Sequence, residues 1–172
     1  MKLTIVINGK GGVGKDTLCR FAAERYKTEN VSSITPIKEI ASLCGWQGEK
    51  TDRARKFLSD LKALTVAYND YPTLYLAGEY RAFLESDEQL MFVHIREPEE
   101  IAKFVKATDG AAVTLLIRGG SRFDRKGVRY GNASDDGVEN YPYDYVFVND
   151  KPLAETEGAF LDFLEKMISE RA

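Results

Sequence analysis

The alternation of strand and helix patterns along the chain predicts an α/β protein. Its sheet should be mostly parallel and covered by helices on both faces, with ligands received at the carboxyl ends of the strands. Three observations carry that expectation. Continuous apolar runs such as AAVTLLI at 111–117 suit strands buried on both faces. Between such runs, apolar residues recur at helical spacing. The third observation locates the ligand: residues 9–17, GKGGVGKDT, stand between the apolar run 3–7 and a helix-patterned segment that begins at Leu18.

In chain order, the partly β-branched run 3–7 is the first strand and feeds the glycine loop. From Lys15 to about residue 26, Leu18, Phe21, Ala22 and Tyr26 form one helical stripe that would press onto the sheet. Residues 31–35 read as a short strand closed by Pro36, 37–43 as a brief helix stopped near Gly45, and the polar tract GWQGEKTD at 45–52 as a loop. Helical pattern returns over 52–68, with Ala54, Phe57, Leu58, Leu61 and Leu64 as the expected inner stripe. Pro72 opens another helix, expected to turn Leu74, Ala77, Tyr80 and Leu84 inward. A strand follows at 90–95, then a helix from Pro98 carrying Ile101, Phe104 and Val105. The central strand 111–117, a fifth strand at 143–148 and a last helix at 153–168 complete the alternation. That helix should bury Phe160, Leu161, Leu164, Met167 and Ile168. Residues 118–142, about 25 in number with five glycines, show no period and are far longer than an ordinary connection, so they are expected to form a lid.

With 172 residues, 44% hydrophobic and 30% charged, the chain suffices for one well-buried core, and a single domain over 1–172 is expected. A formal net charge of -3 argues against a broad basic face for a nucleic acid polymer and leaves room for a local basic cleft. Cys19 and Cys44 lack the spacing of a metal site and suit a reduced, cytoplasmic setting. The N-terminus runs directly into a strand, so neither a signal peptide nor a membrane association is expected. Monomer and homodimer both remain open.

The spacing from Gly9 through Gly14 to Lys15 is GxxxxGK. Glycines at Gly9, Gly11, Gly12 and Gly14, together with Lys10 and Val13, let backbone amides curl around a phosphate, while Lys15 supplies a mobile positive charge. The first helix adds its N-terminal amides. ATP is therefore the expected nucleotide. Asp16 stands where a hydroxyl residue would usually meet magnesium, and Thr17 follows. These two oxygen ligands are the candidate Mg2+ site, although Asp16 could also simply favour a helix N-terminus. Arg118 and Arg122, with Arg125 and Arg129 behind them, would bring charge from the lid onto a transferring phosphoryl group. Arg96, in LMFVHIRE at a strand's carboxyl end, and Arg53, beside Arg55, are candidate acceptor contacts. His94 is the only histidine and reads as a hydrogen-bonded structural residue. Glu97 could be a first-turn helix acid. Asn149 and Asp150 follow the fifth strand, where Asn149 could reach a nucleotide base or cap the final helix.

The GKDT ending, HIREPEE and DYVFVND together make the chain resemble the nucleoside and nucleotide kinase branch of the P-loop proteins. GKDT is similar to the loop ending of phage-type deoxynucleoside monophosphate kinases, which also carry Asp after the loop lysine. HIREPEE resembles their acceptor-site segment, with His94 in place of the usual Asp; DYVFVND resembles the segment that borders the base there and in dephospho-coenzyme A kinases. The resemblance implies a three-layer α/β/α fold with strand order 2-3-1-4-5, acceptor-side helices over about 52–86, and phosphoryl transfer from ATP to a nucleoside monophosphate or similar small acceptor. KGGVGK is also similar to the loop of partition and septum-positioning ATPases, in which the lysine at the position of Lys10 acts across a dimer. Those chains are longer, place Thr after the loop lysine and lack a lid. A nucleotide-binding regulatory module without turnover is a third reading, permitted by the loss of the acceptor-site Asp.

Overall fold

The computed structural model describes residues 1–120 and 137–171. Five strands form one parallel sheet in the order β2-β3-β1-β4-β5. The strands are β1 (Leu3–Asn8), β2 (Thr28–Ser32), β3 (Leu90–His94), β4 (Val113–Gly119) and β5 (Tyr145–Asn149). The helices are α1 (Lys15–Arg25), α2 (Thr35–Leu43), α3 (Asp52–Asn69), α4 (Tyr71–Glu85), α5 (Pro98–Ala107) and α6 (Leu153–Arg171).

Alternation along β1 divides the interior in two. Leu3, Ile5 and Ile7 face Leu18 and Ala22 of α1 and Phe160, Leu164 and Met167 of α6. Val6 faces the other way, into a cluster with Leu76 and Phe83 of α4 and Ile101 and Phe104 of α5. Both faces of the central strands are therefore dry, which is why their sequences are continuously apolar. The three-layer α/β/α arrangement and the strand order expected from the sequence are present.

Two expectations need correction. The second strand lies at Thr28–Ser32 rather than 31–35: its TENVS sequence is an edge strand paired on one side only, Thr28 opposite Leu90 and Ser32 opposite His94, and it carries little apolar signal. The expected inner stripes of α3 and α4 are also not the buried ones. In α3 only Ala54 is buried, while Phe57 is 37% and Leu64 68% exposed. In α4, Pro72, Leu76 and Phe83 are buried, whereas Leu74 and Leu84 are exposed. The physical reason is placement: α4 contacts β2 and β3, but α3 packs chiefly on α2 and α4. Among the described residues, no helix is long and apolar enough to cross a membrane.

Candidate functional site

The chain leaves β1 at Asn8 and enters α1 at Lys15 through a loop that requires glycine at its two ends. A Cβ on Gly9 would come within 2.5 Å of the Ile117 carbonyl oxygen. Gly14 has φ +94, a left-handed conformation, and a Cβ there would meet Asn149 Nδ2 at 2.8 Å. The loop is fastened from both sides. Asn8, 1% exposed, accepts a hydrogen bond from the Gly9 amide (2.9 Å) through Oδ1. Its Nδ2 donates to the Arg96 carbonyl (3.1 Å) and to Tyr143 Oη (2.9 Å), and Tyr143 in turn donates to the Val138 carbonyl (2.7 Å). On the other side Asn149, 3% exposed, donates to the Val13 carbonyl (2.9 Å), and Thr156 Oγ1 lies 3.5 Å from Asn149 Oδ1. Asn149, expected as a nucleotide contact, thus has its side-chain amide turned onto the loop itself.

Lys15 Nζ donates to the carbonyls of Gly9 (2.6 Å) and Lys10 (3.2 Å). The ammonium is thereby held over the glycine loop. Asp16 is exposed on the first turn of α1, and Thr17 Oγ1 accepts from Arg20 at 3.5 Å. Among the described residues no group of three or more His, Cys, Asp or Glu could hold a metal ion. Asp16 and Thr17 nevertheless offer hard oxygen donors beside the glycine loop, a set that would suit magnesium if a ligand's phosphate oxygens completed its shell.

Loop and α1 form one wall of a cleft of about 970 Å³ at the carboxyl ends of β1 and β3. This is the place where the strand order reverses, β3 lying on one side of β1 and β4 on the other. Gly11, Gly12, Gly14, Lys15, Asp16 and Thr17 line that wall. The opposite wall is basic and hydroxylic, with Ser32, Lys38, Arg55, Ser59 and Arg96. Arg53, expected at the acceptor position, does not line the cleft; Arg55, about 200° further around α3, does. Lys10 is exposed, and Val13 is buried as loop support. Arg118 stands at the end of β4, outside the cleft lining, with Nη2 3.6 Å from Glu139 Oε2. Arg122, Arg125 and Arg129 lie outside the described residues.

His94, at the end of β3, lines the cleft with Nε2 3.2 Å from Asn30 Oδ1. Burial lowers its pKa from the ordinary imidazole value, with Asp16 opposing and Lys15 reinforcing the shift. Lys62 on α3 bridges two carboxylates, Glu97 Oε2 at 2.9 Å and Glu100 Oε2 at 3.0 Å. Burial pushes Glu97 upward, but the Lys62 ammonium outweighs it and leaves Glu97 below the usual carboxylate value. Glu100 is raised, because its burial exceeds what the shared ammonium offsets. Asn8, Tyr143 and the Lys62 cluster were missed by sequence reasoning. The one local signal was a polar Asn closing an otherwise apolar strand.

No family model and no curated protein matches the chain. Solved structures do. The tunicamycin resistance protein of Deinococcus radiodurans superposes with a TM-score of 0.60 at 13% identity, covering 97% of this chain and 96% of that one. A sugar kinase from Janibacter sp. HTCC2649 gives 0.56 at 15% identity, with 96% and 95% covered. Shikimate kinase from Bacteroides thetaiotaomicron gives 0.55 at 13% identity, with 97% and 98% covered. At these identities the likeness is one of fold: the chain has the three-layer α/β fold of the P-loop kinases.

Proposed function

We propose that the protein is an ATP-dependent phosphotransferase acting on a nucleoside monophosphate or a similar small acceptor. The observation that carries this reading is the facing of two walls across one cleft, a glycine loop with Lys15 on one side and Lys38, Arg55 and Arg96 on the other. Proteins of the same fold that are named as sugar and shikimate kinases support it.

In this reading the loop amides and Lys15 hold the β and γ phosphates of ATP, and positioning with electrostatic stabilisation supplies most of the catalysis. Asp16 and Thr17 would hold magnesium, which when bound would neutralise phosphate charge. The acceptor oxygen, a phosphate oxygen of a nucleoside monophosphate or a hydroxyl of another small acceptor, bonds to the γ phosphorus as the bridging P–O bond breaks. ADP leaves with that electron pair, and where the acceptor is an alcohol its hydroxyl proton passes to solvent. Arg118, at the end of β4 and 3.6 Å from Glu139, is the candidate positive charge for the moving phosphoryl group. Lys15→Met should abolish ADP formation in a coupled assay over nucleoside monophosphates and small alcohols while circular dichroism stays unchanged. Normal rates in that variant would overturn the assignment.

A further inference from the structure

The acceptor wall carries more chemical detail than a basic patch. Arg55, Ser59 and Lys62 recur on α3 at positions i, i+4 and i+7, so one helical stripe faces the cleft. Lys62 is committed to Glu97 and Glu100, with its side chain only 15% exposed. Arg55 is held far more loosely: its Asp52 partner is 3.8 Å away, and both side chains are largely in water. Lys38, on the first turns of α2, is exposed on the same wall. The same lining includes the hydroxyls of Ser32 and Ser59 and the amide of Asn30. The apolar surface there is aliphatic, from the partly exposed Ile34 and Leu58, with Val31 and Ile95 only 8% and 1% exposed. Among the described lining residues the only ring is His94, at hydrogen-bond distance from Asn30. A nucleobase is ordinarily gripped by stacking on flat faces, whereas a polyol is gripped by hydroxyls and amides, and an anion by mobile cations.

We infer that the acceptor is a small polyol carrying its own phosphate or carboxylate, with the anion received by Arg55 and Lys38, rather than a nucleotide. This rests on the phosphotransfer reading above. The transfer is the one already written: the polyol oxygen gains the γ phosphorus, ADP departs with the bridging electron pair, and the proton goes to solvent.

The test uses the full chain with MgATP and four sets of compounds: sugar phosphates, aldonic and hydroxy acids, uncharged sugars, and nucleoside monophosphates. ADP formation and the thermal shift in MgADP are read for each. A phosphorylated or carboxylated polyol should give both signals, and which of the two sets responds identifies the anion. Arg55→Ala should raise KM for that compound by about tenfold or more, with partial recovery in Arg55→Lys. Turnover with nucleoside monophosphates alone overturns this inference and keeps the phosphotransfer reading. Equal use of uncharged sugars, or a KM indifferent to Arg55→Ala, also overturns it. No turnover with any set overturns both.

Discussion

Asn149 shows how one side chain can matter to a site without facing it. Its amide holds the Val13 carbonyl from the far edge of the sheet, and it packs so closely on Gly14 that only glycine fits there. Asn149→Ala removes the donor and leaves a buried carbonyl unpaired, a cost of about 1–3 kcal/mol that falls largely on the loop's conformation. MgATP affinity should drop about tenfold or more in a thermal-shift titration; an unchanged midpoint would mean that the loop holds its own shape. The loop was legible because its residues are contiguous. Lys15 and Asp16 could be named from spacing alone, whereas Asn149 acts across 136 positions and its partner could not be read. Arg53 illustrates a different limit. Sequence placed the acceptor candidate Arg53 in the first turn of α3, but two positions on a helix turn a side chain about 200°, and only the packed structure shows that Arg55 and not Arg53 lines the cleft.

At the level of elements, α3 is the informative case. Its apolar residues Phe57 and Leu64 point to water, while Arg55, Ser59 and Lys62 face the cleft. A helical period implies an amphipathic helix but does not say which side meets protein, and here the usual assumption fails because α3 lies over the strand ends rather than on a sheet face. The strands were read well where both faces are buried and poorly at the polar edge strand β2. The same contrast gives a stability prediction. Phe83→Ala on α4, fully buried, should cost about 3–5 kcal/mol, whereas Leu64→Ala on α3 should stay within about 0.5 kcal/mol. Urea denaturation of the two variants decides it, and similar losses would show that α3 buries that stripe.

For the molecule as a whole, the sheet order was legible only through resemblance, because periodicity orders elements along the chain but not across a sheet. Its electrostatics point to an alkaline limb in stability. Burial pushes the Tyr143 phenol from 10.0 up to about 12, and burial, aided by Asp16, pushes the Cys19 thiol from 9.0 up to about 12. The unfolded chain therefore loses these protons first, and stability should fall as pH rises from about 9 towards about 12. Tyr143→Phe should flatten the part of that limb above pH 10 in denaturation midpoints measured across the range; a slope identical to wild type would remove Tyr143 as a cause.

The two walls of the cleft are also built from different materials. Behind the nucleotide wall lies a dry core on the α1 and α6 side of the sheet. The acceptor wall rests on α3, which packs on α2 and α4 and is tied to α5 through Lys62, an ammonium only 15% exposed whose pairing with Glu97 and Glu100 salt screens little. Apolar burial thus stands behind one half of a single cleft, and helix packing with a shielded ammonium behind the other.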